Sequence, residues 1–143
     1  MKKFSLLLVA AVTFVLVSCM SSIKPVKNQL ATTPWELEYI TGPRIAFEGL
    51  YPDKKPIITF NPAAMNVSGN SGCNGYSADY KMAGNSISFG EPGMSTMMFC
   101  GEGEQVFRNT MKKINKYSID ANGKLNLMMN GVPMMRFKRA IAR

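Results

Sequence analysis

The sequence contains no histidine. That gap removes whole classes of chemistry. No Ser-His-Asp triad and no Cys-His pair can be assembled, and no zinc site can use imidazole. Lysine-assisted and paired-carboxylate chemistry survive the exclusion, but only nine acidic residues are present and they form no obvious cluster. Cysteine is scarce, at three residues, and tryptophan occurs once. Past the first nineteen residues no apolar run approaches the roughly 20 residues that a membrane-crossing helix requires. No catalytic residue, no cofactor and no resident metal are therefore expected.

What is present begins at the N-terminus. Met1-Lys2-Lys3 leads into an apolar stretch from Phe4 to Val17, interrupted only by Ser5 and Thr13, and then Ser18. Basic residues, a short apolar run and a small residue at the cut describe a secretory signal. The next motif, Leu16-Val17-Ser18-Cys19, resembles the bacterial lipobox. In signals of that kind the Cys thiol is diacylated, the chain is cut before it, and the new amino terminus is acylated. Ser18 is small enough to admit a peptidase, and only a thiol can form the thioether. Cys19 is thus the expected lipidation site, the membrane an expected partner through that anchor, and the protein is placed outside the cytoplasm. An ordinary signal with an incidental cysteine, or an uncleaved anchor, are the competing readings. Several acyl chains, at ~0.8 kcal/mol per buried methylene, hold far more firmly than one. Neither Met20 nor Ser21 is acidic, which resembles sorting to the outer membrane, facing the periplasm.

This gives three expected parts: a signal over residues 1–18, a flexible tether over 19–33, and one domain over 34–140. The tether carries Pro25, Lys24 and Lys27 and shows no sustained period. The domain, about 110 residues, is long enough for one core. The formal charge of +8 falls to +6 once Lys2 and Lys3 are removed with the signal. Basic residues crowd the C-terminus (Arg136, Lys138, Arg139, Arg143) and a central stretch (Lys112, Lys113, Lys116). They read as a solvated face, with an anionic surface as the alternative. A nucleic-acid partner is not expected: no binding fingerprint is present and the aromatics do not interleave with the basic residues.

Along the domain the pattern is mostly short strands. Trp35-Glu36-Leu37-Glu38-Tyr39-Ile40 alternates, with Trp35, Leu37 and Tyr39 on one face. Further strands are expected at Ile57–Phe60, Met65–Ser68, Tyr76–Met82, Ser86–Phe89, Tyr117–Ile119, Leu125–Met129 and Met134–Lys138. Asn122-Gly123 and Asn130-Gly131 mark consecutive hairpins, and Gly84-Asn85 a third. One long helix is expected over Glu102–Ile114, with Phe107, Met111 and Ile114 on one face and Glu102 and Glu104 in its first turn. The fold class expected from this pattern is α+β: a curved, antiparallel, meander-like sheet with one main helix packed on it.

The loop Ser71-Gly72-Cys73-Asn74-Gly75-Tyr76, with Tyr80, and the later Ser95-Thr96-Met97-Met98-Phe99-Cys100 resemble the META domain. That domain occurs in the heat-shock protein HslJ and in many small bacterial lipoproteins. The resemblance continues through Glu104, Phe107 and Met111 on the helix, Trp35-Glu36-Leu37 at the opening and Met134–Phe137 at the close. It spans about Leu30 to Arg139. It names Trp35, Gly72, Asn74, Thr96, Glu104 and Phe107 as motif residues, and Gly75-Tyr76 departs from many members. It implies an envelope protein linked to stress, antibiotic tolerance or motility, without catalytic activity.

With Cys19 acylated, Cys73 and Cys100 remain as an even pair in an oxidising compartment. A disulfide is expected, and two reduced thiols packed as small hydrophobes are the alternative. A redox-active pair is disfavoured, since there is no Cys-x-x-Cys. Methionine is abundant in the second half: Met94, Met97, Met98, Met128, Met129, Met134 and Met135. Thioethers with Cys100 suit Cu(I), but adjacent strand residues face opposite sides, so gap-filling is the expected role. Gly72 and Asn74 are read as serving a tight turn, a backbone-amide anion site being the alternative, and Trp35 as a core anchor. The expected function is a non-catalytic, lipid-anchored domain that binds another envelope component, an envelope protein being the expected kind of partner. A pilot-like chaperone or inhibitor module, or a Cu(I)-binding lipoprotein, are the alternatives.

Overall fold

A computed structural model describes residues 26–42, 44–94, 96 and 98–141. The signal, Cys19 and Met97 lie outside the described residues, as does Arg143.

The strands are where alternation puts them, but their pairing differs from the expectation. In chain order the elements are α1 (Val26–Ala31), β1 (Trp35–Ile40), α2 (Phe47–Leu50), β2 (Ile57–Asn61), β3 (Asn66–Asn70), β4 (Gly75–Ala83), β5 (Ser86–Phe89), β6 (Gly93–Met94), α3 (Gly101–Met111), β7 (Lys116–Ile119), β8 (Leu125–Met129) and β9 (Val132–Arg139). Each of β1 to β4 pairs antiparallel with its successor. β5 pairs with β7, β7 with β8, β8 with β9, and β9 returns to β1. The ring is complete. The expected α+β arrangement, a sheet carrying one main helix, is therefore overturned: eight antiparallel strands close into a barrel, and the helices are small. Closure removes the free sheet edges that an open sheet would present to solvent. β6 is a ninth, two-residue strand that shares one edge of β4 with β5.

Alternation explains the core. Trp35, Leu37, Ile58, Phe60, Val67, Tyr76, Ala78, Tyr80, Ile87, Leu125, Leu127, Met135 and Phe137 are buried, one residue in two along their strands. Phe60 sets its ring edge-on to Tyr80 at 5.5 Å. The weakest seam is β5–β7, joined through a single register pair, Ser86 with Lys116. α3 lies between these strands in sequence. It buries Phe107 and Met111, and the Phe107 ring meets Tyr76 of β4 at 5.4 Å. Arg108 and Lys112 reach back to Glu91, just after β5, at 3.6 and 2.7 Å.

α1 falls inside the stretch expected to be a flexible tether. Its Leu30 is buried in the core, and the Leu30 carbonyl accepts the Trp35 indole N–H at 2.9 Å. The folded unit therefore reaches back at least to Leu30. The C-terminal basic residues are engaged along the barrel wall. Lys138 pairs with Glu36 at 3.1 Å, and Arg136 and Arg139 lie over the rings of Tyr39 and Trp35. No helix among the described residues is long and apolar enough to cross a membrane.

Candidate functional site

Five of the six motif residues meet at one end of the barrel. The β3–β4 turn, Ser71 to Asn74, is the centre. It is closed by the Ser71 N–H and Oγ–H, which both donate to the Asn74 carbonyl at 2.9 and 3.0 Å. Gly72 has φ +102°, and a Cβ there would stand 2.6 Å from the Tyr51 ring. The turn thus needs glycine for conformation and for space.

Asn74 is 2% exposed, and every polar atom of its side chain is used. Its Oδ1 accepts from the Thr96 hydroxyl at 2.8 Å and from the Met98 N–H at 2.9 Å. Its Nδ2 donates to the Met98 carbonyl at 2.8 Å and to Glu104 Oε2 at 2.9 Å, and also lies 2.9 Å from Cys100 Sγ. The other Glu104 oxygen lies 3.2 Å from Ser71 Oγ, sharing the hydroxyl proton with the Asn74 carbonyl. One buried amide therefore ties the turn, the loop before α3 and the first turn of α3 together. Cys73 and Cys100 join as a disulfide, with Cα atoms 5.7 Å apart, which adds a covalent link between the same two segments. The reduced-thiol alternative is not what the fold contains.

The remaining chemistry is structural. Thr96 Oγ1 also accepts the Gly75 N–H, at 3.2 Å, and Asn70 Oδ1 accepts the Gly72 N–H, at 3.0 Å. Three amides of the turn, on Ser71, Gly72 and Gly75, are thus already bonded, which disfavours an anion site there. Cys100 sulfur is bonded to Cys73 and cannot serve as a thiolate ligand, and Met98 is 69% exposed; the Met97 part of the proposed Cu(I) set lies outside the described residues. Phe107 supports the site from below through Tyr76. Trp35, the sixth motif residue, stands apart as a core anchor with its N–H on Leu30.

Beside this network is a cleft of about 320 Å³ lined by Leu50, Tyr51, Asp53, Cys73, Phe99 and Glu104 among others. The Tyr51 hydroxyl donates to the Gly103 carbonyl at 2.9 Å, and burial pushes its phenol well above the usual range. Phe99 is 98% exposed. It sits between Met98, whose N–H and C=O are both held by Asn74, and Cys100, held by the disulfide.

The META domain profile matches residues 28–141. The chain belongs to the META domain family. A protein from Burkholderia xenovorans, solved by NMR, superposes with a TM-score of 0.60 at 20% identity, over 87% of this chain and 97% of that one. A second NMR structure gives 0.55 at 22% identity, over 77% and 92%. At these identities the likeness is one of fold. No curated protein matches the chain.

In this META domain the sequence reading found Gly72, Asn74, Thr96, Glu104 and the cystine but missed three partners. Ser71 belongs to the loop motif, but nothing in the sequence says that its hydroxyl lies within hydrogen-bond distance of both the Asn74 carbonyl and Glu104. Tyr51 carries no periodic signal, being one aromatic in a Pro- and Gly-containing connection. Phe99 sits in the motif, but nothing in the string says that it points outward.

Proposed function

We propose that this META domain is a lipid-anchored, non-catalytic protein of the bacterial envelope that works by binding another envelope component through the cystine end of its barrel. One observation supports this reading most. The polar groups at that end are spent on each other, and what they hold in place is the exposed Met98-Phe99 corner. A catalytic site keeps a nucleophile or base free to act; here the polar groups serve to present apolar surface. The lipobox-like Leu16-Val17-Ser18-Cys19 supplies the anchor and the compartment, and the compartment suits a disulfide. Envelope maintenance or stress and antibiotic tolerance is the process this placement suits.

Labelled palmitate fed to the native bacterium should enter the wild-type protein and not Cys19→Ala, and the variant should leave the membrane fraction. A strain lacking the protein should lose tolerance to envelope stress and recover it with wild type but not with Cys19→Ala. Label-free wild-type protein, or full rescue by the unanchored variant, would reject the reading.

A further inference from the structure

The strand register divides the barrel into two ends. Trp35 stands opposite Ile58 and Arg139, Ile57 opposite Asn70, and Asn70 opposite Gly75. The starts of β1, β2 and β4 and the ends of β3 and β9 therefore share one end. The cystine turn is there. α1 enters there, and the chain departs there past Ala140, whose N–H donates to the Pro34 carbonyl at 2.8 Å.

Exposed large apolar side chains are not spread evenly between the two ends. Among the described residues they are Tyr39, Ile45, Met98, Phe99, Val132 and Ile141. The three most exposed, Phe99 at 98%, Ile141 at 87% and Met98 at 69%, all belong to the cystine end. A freely mobile exposed phenylalanine would need no special support. Phe99 is instead bracketed by the two most heavily tied residues of the loop, so little order is left to lose when it meets a partner.

We propose that the partner touched by this end is the bilayer itself, with Phe99 seated at the headgroup–acyl boundary and Met98 and Ile141 beside it. The proposal rests on the lipid-anchor reading above and names the component that the cystine end contacts. Chain length argues for it. Six residues lie between Cys19 and Val26, and the seven Cα-to-Cα steps, at ~3.3–3.6 Å each, reach at most about 25 Å. A small domain is about 30 Å across, so an anchor of this length is too short to turn the opposite end toward the membrane. Charge sets the mode. Lys54, Lys138 and Arg139 are exposed at this end together with Asp53 and Glu102, and Lys138 is paired with Glu36, so the signs are mixed. Apolar insertion rather than attraction to anionic headgroups carries the contact, and zwitterionic lipid is sufficient for it.

The test uses the mature full chain, purified with its native modification and reconstituted into phosphatidylcholine vesicles whose acyl chains carry bromine. Phe99→Trp introduces an indole at the tip, and wild type in the same vesicles supplies the background from buried Trp35. An unchanged thermal melt and an intact disulfide establish that the variant is folded; should it not fold, Met98→Trp takes its place. The expected result is at least two-fold quenching of the introduced indole relative to unbrominated vesicles, insensitive to salt, with the wild-type signal unchanged. Intact mass on the same sample reports the acyl groups. A chain without them would overturn the anchor reading and this proposal with it. A lipidated chain whose introduced indole is not quenched, as when the tip faces water or a protein partner, would overturn the bilayer contact and leave the anchor standing.

Discussion

A methyl group at Gly103 has nowhere to go. A Cβ there would meet the Leu50 carbonyl oxygen and stand 2.8 Å from the Tyr51 ring, at the place where α3 crosses the end of α2. Two effects oppose each other in Gly103→Ala. Helix propensity favours alanine by about 1 kcal/mol. Overpacking costs about 1–3 kcal/mol, at the upper end here because one of the two contacts is backbone. The expected outcome is net destabilisation of about 1–2 kcal/mol, read as a lower urea midpoint with unchanged slope; a midpoint at or above wild type would show that α2 simply moves aside. The same scale explains what a residue string can reveal about the site. Asn74 and Gly72 stood out because turn chemistry restricts residue choice. Gly103 did not stand out, because a glycine inside a helical pattern looks like a weakness until the neighbour that forbids a side chain is known.

At the scale of elements, α3 depends on its attachments. It has eleven residues, and isolated helices shorter than ~12–15 residues are marginal in water. Its N-cap residue, Cys100, makes no side-chain capping bond. The disulfide and the Asn74–Glu104 bond supply at this end what a cap would. The two cysteines are 27 residues apart, and in the chain-entropy model closing such a loop stabilises by about 3–4 kcal/mol. Reduction, or Cys73→Ser with Cys100→Ser, should lower the unfolding free energy by roughly that amount, measured by urea denaturation with and without reductant. An unchanged midpoint would mean that the Asn74 hydrogen bonds alone suffice. The strand Trp35–Ile40 was legible because period-2 alternation is written locally, but the face of its last residues was not: a register shift between Leu37 and Tyr39 leaves Tyr39 exposed, against the expectation, and buries Ile40. α1 was not, since the six residues of Val26–Ala31 are too few to establish a helical period, and the contact of Leu30 with Trp35 is seen only in space.

At the scale of the whole molecule, closure was the feature least visible in the sequence. Whether eight strands form an open sheet or a ring is decided by the β9–β1 and β5–β7 pairings, and no local pattern encodes them. Once closed, the barrel holds Tyr51, Tyr76, Tyr80 and Tyr117 in its core, and burial raises the pKa of all four phenols. Their unfolded values lie near 10. Below that pH both states are neutral and the stability is fully present; as pH rises past about 10 only the unfolded chain releases the protons readily, so stability falls. Urea midpoints should hold steady up to about pH 9–10 and then drop, together with the appearance of phenolate absorbance; a barrel that ionises its tyrosines while still folded would contradict this. The adjacency of the two chain ends has a mechanical consequence. β1 and β9 are antiparallel neighbours whose outer ends, Trp35 and Arg139, pair directly. A force applied between the two termini would load their hydrogen bonds one rung at a time, like a zipper, rather than all at once in shear. The barrel is therefore soft to a pull between its own ends, while a pull between the anchor and the Asn130-Gly131 turn at the far end would run along the strands and meet the ladder in parallel.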